Sequence, residues 1–142
     1  MDSELADLAE AILGVGRELR MRLDADVIHL TAQEAHVMRH IDHHPGVTPS
    51  DVARATGLQR SNLSTALRAL ERRGFVERRA DPHDARGINL FPTDRAADNL
   101  TRLRRQWANQ MARALGGDLQ DAAAAKALLQ RVEAGLVADR LG

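Results

Sequence analysis

The sequence predicts a mainly helical chain interrupted by a single β-hairpin, and three observations predict it. Apolar residues recur at helical spacing along most of the chain outside residues 75–91. Helix starts are marked by Thr31 with Glu34 and by Thr48-Pro49-Ser50-Asp51, and helix ends by Gly46, Gly57, Gly74 and Gly116-Gly117. Only Phe75–Arg79 and Gly87–Phe91 partly alternate polar and apolar positions, and they enclose Asp81-Pro82-His83-Asp84-Ala85-Arg86, which is turn chemistry.

The first helix covers residues 3–23. Leu5, Leu8, Ile12, Val15 and Leu19 alternate spacings of 3 and 4, one narrow stripe close to a coiled-coil seam. Such a seam on a terminal helix predicts a partner chain. A second helix starts at Thr31, which caps while Glu34 reaches back, and it stops near His43 before Pro45-Gly46. Thr48-Pro49-Ser50-Asp51 reads as another capping box, with Pro49 at the first helical position, where a missing N–H costs nothing. That helix is short and ends at Gly57. The next runs from about Gln59 to Arg73 and is closed by Gly74.

Two helices joined by a tight glycine turn form a helix-turn-helix. In its second helix Leu63, Leu67 and Leu70 must face inward, leaving Arg60, Ser61, Asn62, Ser64, Thr65 and Arg68 outside. Small polar residues let a helix sit deep in a DNA major groove, where Arg and Asn read guanine and adenine edges. The hairpin that follows completes a winged helix-turn-helix: mainly α with a small β-hairpin wing. Thr93 then caps a helix of about 22 residues, roughly 33 Å long, ending at Leu115. Its expected inner face is Ala96, Leu100, Leu103, Trp107, Met111 and Ala114. Asp118 is expected to cap a last helix with Leu119, Ala125, Leu129, Val132 and Leu136 inward. No repeat or linker appears, so the 142 residues read as one domain.

The zero net charge conceals segregation. Residues 1–53 carry 4 basic and 10 acidic side chains, residues 54–105 carry 12 and 6, and residues 106–142 carry 4 and 4. A basic middle third is the footprint of an anionic partner. The chain has no cysteine, which removes disulfides, thiol redox sensing and cysteine-ligated zinc. No run approaches the ~18 apolar residues that span a membrane, and the acidic start does not read as a secretory signal, so a cytoplasmic protein is expected. No GxSxG, P-loop or dinucleotide-binding glycine turn occurs, and no enzyme or cofactor is expected. His36, His40 and His44 recur every four residues, with His43 beside them and His29 before them. They form either a polar helix face or a pair of imidazoles for a metal, without the partner carboxylates of HExxH. Trp107 and Met111 read as core or as the lining of a ligand pocket.

The stretch "LRALERRGFVERRADPHDARGINLFPT", residues 67–93, resembles the end of the recognition helix and the wing of the MarR family of winged-helix transcriptional regulators. Asp84-x-Arg86, with Thr93 seven residues on, is its most specific part. Ala85, Pro92 and Ala96 depart from the family's common basic residue, Leu and Gly. The resemblance covers nearly the whole chain, and it implies a division into dimerisation helices (about 1–29 and 94–142) around a DNA-binding lobe (about 30–93). It implies a homodimer, with Leu5, Leu8, Ile12, Val15, Leu19, Leu129, Val132 and Leu136 as dimerisation residues, binding a pseudo-palindromic operator on double-stranded DNA. It also implies release by a small organic effector, for which His36, His40, Trp107 and Met111 are the pocket candidates. Arg86 becomes the wing-tip arginine that enters the minor groove, braced by Asp84; the competing reading is an exposed turn ion pair. Arg60, Ser61, Asn62, Ser64, Thr65 and Arg68 become groove and phosphate contacts. Arg78, Arg79 and His83 become phosphate contacts, as does Ser50, while Thr48 is equally explained as a cap. Two other readings stand beside this one: a winged helix that binds proteins, which would want an acidic or apolar outer face on the third helix, and a metal-responsive regulator using His36 and His40.

Overall fold

The computed structural model describes residues 2–142. Among them are six helices and one antiparallel hairpin: α1 (Asp2–Met21), α2 (Ala32–His43), α3 (Pro49–Thr56), α4 (Arg60–Arg72), β1 (Val76–Asp81), β2 (Asp84–Pro92), α5 (Asp94–Ala114) and α6 (Ala122–Leu141). None of these helices is long and apolar enough to cross a membrane.

Contacts divide the chain into two compact units. One holds the chain up to His29 together with Asn99–Leu119; the other holds Leu30–Asp98 and Gln120–Gly142. The second unit has the core. Val37 and Ile41 of α2, Val52 of α3, Leu70 of α4, and Phe75 and Leu90 around the hairpin are fully buried, joined by Leu63, Ala66 and Leu67. Each such aliphatic or aromatic side chain stabilises the fold by about 1.5–3 kcal/mol through removal from water. Caps fix the helix boundaries. Thr31 and Glu34 form the reciprocal capping box of α2, whereas at α3 only the Thr48 half forms, accepting from Asp51 N at 3.2 Å. Asp51 has a shorter side chain than the glutamate that normally returns the bond.

The hairpin pairs Val76 with Pro92, Arg78 with Leu90 and Ala80 with Ile88, and an irregularity after Ala80 brings Asp81 opposite Asp84. Pro92, which has no N–H, sits at the last rung. Thr93 follows. Its hydroxyl donates to Gly74 O at 2.5 Å and accepts from Ala96 N at 3.2 Å, so one side chain joins the α4 exit to the α5 start.

Three expectations are corrected. Asp118 does not cap α6: the helix begins at Ala122 with Asp121 at its N-cap, and Asp118 N bonds Leu115 O in the turn made by Gly116 and Gly117. Leu119, which lies in the connection before α6, is exposed, and so are Leu129 and Leu136, since α6 buries no side chain within the chain. The buried positions of α5 are Ala96, Asn99 and Gln106, while Leu100, Leu103 and Trp107 are half-buried and Met111 and Ala114 exposed. The cause is what α5 faces. Within the first unit it holds an irregular segment whose backbone needs hydrogen bonds: Asn99 bonds Ile28 N and O at 2.7 and 3.2 Å, and Gln106 bonds Asp24 N at 2.8 Å and Arg22 O. Amides, not leucines, satisfy that backbone.

Candidate nucleic-acid interface

Helix α4 is placed by the turn before it and the ion pair after it. Gly57 takes the left-handed conformation (φ 71°) that lets α3 stop and the chain reverse, and its N–H bonds Ala53 O at 2.9 Å. The Thr56 hydroxyl donates to Val52 O at 2.7 Å and accepts from Leu58 N at 3.4 Å, bracing the same turn. At the far end Arg73 meets the buried Glu34 carboxylate at 3.1 Å, tying the α4 exit to the α2 start.

Between these anchors the two faces of α4 separate cleanly. Leu63, Ala66, Leu67 and Leu70 are buried, and Arg60, Ser61, Asn62, Ser64, Thr65 and Arg68 are all exposed. Thr65 Oγ1 donates back to Ser61 O at 3.0 Å. The lone carboxylate on the helix, Glu71, is taken by Arg78 of β1. Among the described residues Arg60 and Arg68 have no ion pair, so the outer face presents uncompensated positive charge beside small hydroxyls and one amide. Gln59 supplies no side-chain cap to α4, so the first amides of that helix lack the acceptor a Ser or Asp would give them.

The wing is fixed to this lobe at its base. Leu90 N bonds Val47 O and Gly46 N bonds Leu90 O, both at 2.8 Å, so the α2–α3 connection adds a bridge to β2. Arg79 lies over the Phe91 ring at 4.2 Å and reaches Glu77 at 3.4 Å. At the tip, Asp81 Oδ1 accepts from His83 N at 2.8 Å and Asp84 Oδ1 from Arg86 N at 3.0 Å. Asp84 thus shapes the backbone under Arg86 and does not grip its guanidinium. Gly87 lies in a tight place: a Cβ there would stand 3.0 Å from Asp81 Cβ and 3.3 Å from Asp84 O. His83, Asp84 and Arg86 are exposed, and the Arg86 guanidinium has no ion pair among the described residues.

The remaining candidates are distributed. Ser50 is exposed in the first turn of α3. His36 and His40 belong to the winged-helix unit, Trp107 and Met111 to the other. The His40 and His44 rings stack at 4.4 Å, and His44 Nδ1 lies 3.1 Å from His40 O. Burial, then the neighbouring His44 and His36, lowers the His40 pKa, and burial raises that of Asp42. No three His, Asp or Glu side chains among the described residues converge to hold a metal. Leu5, Ile12, Val15, Leu129 and Leu136 are exposed, while Leu8, Leu19 and Val132 are half-buried.

Sequence reasoning missed the polar residues that hold the elements in place. Glu34 was legible as a capping residue but not as the partner of Arg73. Glu71, Asn99 and Gln106 fall on positions that periodicity assigns to no face in particular. Arg39 grips Glu133 of α6, and the Arg39 hydrogen bond holds that carboxyl below its usual range. Arg140 donates to carbonyls of α3. All but the Glu71–Arg78 pair join residues far apart in sequence, where no local spacing signals them.

Comparison with known proteins agrees with this geometry. The model of the MarR family matches residues 30–87. No curated protein matches the chain. Among solved structures, the PcaV transcriptional regulator from Streptomyces coelicolor, in complex with its natural ligand, is 25% identical with a TM-score of 0.62, over 90% of this chain and 89% of its own. The transcriptional repressor CouR, bound to a 23-mer DNA duplex, is 27% identical with a TM-score of 0.67, over 94% and 96%. FabT from Streptococcus pneumoniae, in complex with DNA, is 23% identical with a TM-score of 0.64, over 97% and 95%, and shares the fold.

Proposed function

We propose that the chain is a winged-helix transcriptional regulator of the MarR family, whose model matches residues 30–87, and that it acts as a homodimeric repressor of a pseudo-palindromic operator, released by a small organic ligand. The observation that carries the DNA reading is the outer face of α4: Arg60, Ser61, Asn62, Ser64, Thr65 and Arg68 are all exposed, and the lone carboxylate of the helix is already paired. Each α4 enters a major groove, where Arg60 and Asn62 contact base edges and Ser61, Ser64, Thr65 and Arg68 add edge and phosphate contacts. Each wing follows the backbone, with Arg86 in the minor groove, where a narrow A·T-rich duplex concentrates negative potential. Arg79, His83 and Ser50 face phosphates. Arg78 contributes less than its position suggests, since Glu71 already neutralises it.

Two copies of α4 must lie about one helical turn of DNA apart, roughly 34–36 Å, to read two half-sites. The exposed leucines of α1 and α6 supply the dimer surface. An organic effector fits a chain without cysteine, and PcaV, its structural relative, binds a natural ligand. The test is selection of duplexes from a random pool, followed by titration of the selected sequence at several salt concentrations. A palindromic consensus bound far more tightly than random duplex is expected. Equal affinity for every sequence would sink the reading.

A further inference from the structure

Helix α6 buries no side chain, yet it falls within the winged-helix unit. Two polar contacts tie it there, beside the half-buried Val132 and Val137. Arg39 of α2 grips Glu133, and near the end of α6 Arg140 reaches α3: its Nη1 donates to Arg54 O at 3.0 Å and its Nη2 to Ala55 O.

Those two carbonyls belong to the last turn of α3, where acceptors run out of intrahelical donors and the negative end of the helix dipole lies. The neighbouring acceptors have local partners: Thr56 Oγ1 takes Val52 O and Gly57 N takes Ala53 O. Leu58 N would reach Arg54 O if the helix continued, but it turns to Thr56 Oγ1 instead. The guanidinium supplies what the turn lacks, a two-pronged cation on two carbonyls. It also lies over Gly57, where a Cβ would stand 2.9 Å from Nη1 and 3.3 Å from Cδ. Glycine at 57 is required by its left-handed backbone conformation, and a side chain there would push the guanidinium aside.

We propose that Arg140 is a positioning residue for operator recognition: a C-cap for α3, delivered by α6, that fixes the α3–α4 turn and with it the start of the recognition helix. Arg60, Ser61 and Asn62 follow that turn directly, so a shift there moves the side chains nearest the bases, and recognition tolerates little displacement. The device makes α6 a lever on the DNA-reading face. This inference rests on the DNA-binding reading above.

The test compares Arg140→Ala, Arg140→Lys and Arg131→Ala in the full chain. Arg131 is exposed on α6 with no ion pair among the described residues, so its loss removes the same charge without touching α3. The readouts are affinity for a duplex selected by the wild type, affinity for random duplex, and amide exchange at Leu58–Arg60. Arg140→Ala is expected to weaken selected-duplex binding about tenfold, leave random-duplex binding within about twofold and speed exchange in the turn. Arg140→Lys, which can donate to one carbonyl, recovers part of the loss, and Arg131→Ala shows none. Wild-type affinity in Arg140→Ala, or an equal loss in Arg131→Ala, overturns the proposal. If the wild type prefers no duplex, the DNA reading fails instead, and unchanged exchange in Arg140→Ala still decides against the cap.

Discussion

Arg86 illustrates how a single side chain is made available. The wing around it uses its own acids on its own backbone: Asp81 and Asp84 accept from His83 N and Arg86 N, and Arg78 and Arg79 are drawn to Glu71 and Glu77. The guanidinium of Arg86 is left over. Arg86→Ala is expected to weaken operator binding, most where the DNA under the wing is A·T-rich, without changing the melting temperature. Titration against duplexes that differ only under the wing checks this; unchanged affinity on every one would make the hairpin a protein-contacting or structural element. Arg86 was legible in the sequence because turn chemistry is local. Asp84 was read as its brace and does brace it, but through the backbone, by accepting from Arg86 N; the diversion of Arg78 was not legible, because it depends on a residue of a different element. The same holds for Glu34, whose bond to Arg73 reaches across the lobe. Glu34→Ala is expected to cost about 1–2 kcal/mol in urea unfolding, less than the loss of a fully buried ion pair because the Arg73 side chain is 39% exposed.

At the level of elements, legibility follows the range of the interactions. The two faces of α4 come from a 3.6-residue period, and every residue placed outward by that period is exposed. Asn62→Ala and Arg60→Ala are expected to relax discrimination at particular base pairs by roughly 1–3 kcal/mol each, whereas Arg79→Ala lowers affinity for all sequences alike and flattens the salt dependence. Single-base variants of the selected operator, titrated at two salt concentrations, separate the two behaviours. The period served α5 only in part: Ala96 is buried and Leu100, Leu103 and Trp107 are half-buried, but Met111 and Ala114 are exposed. It picked leucines, while the helix turns Asn99 and Gln106 toward a backbone segment 71 or more residues earlier. Helix α2 adds a pH term. His40 sits below its ordinary value of 6.5 in the folded chain, so between that value and the folded one the unfolded state binds more protons. The contribution of His40 to stability is therefore present above 6.5 and lost as pH falls through the folded value. Asp42, with its pKa raised, acts in the opposite direction nearer the carboxylate range. Urea midpoints from pH 7.5 to 5.5 should fall, and His40→Gln should flatten that slope. A slope unchanged by the substitution would assign the pH dependence elsewhere.

For the whole molecule the decisive fact is apolar surface without cover. Helix α1 buries none of its residues, with Leu5 63%, Leu13 69% and Val15 50% exposed, and α6 leaves Leu136 66% exposed. A terminal helix this apolar gains little by itself: isolated helices are marginal in water, and most helical stability comes from packing one face. The stripe at Leu5, Leu8, Ile12, Val15 and Leu19 was legible because it is periodic, and Leu5, Ile12 and Val15 are exposed while Leu8 and Leu19 are half-buried. We expect a dimer at micromolar concentration, visible by sedimentation, and its loss on removing residues 1–21. The deletion should stop there, because Arg22 O accepts from Gln106 and Gln110 and Asp24 N donates to Gln106, so a longer cut would damage α5 as well. Two half-sites on one operator make binding depend on the dimer, so the truncated chain should fall to the weak, salt-sensitive binding of a single lobe or aggregate through what remains exposed. A soluble monomer lacking α1 that still bound the full operator with wild-type affinity would show that the seam serves something other than assembly.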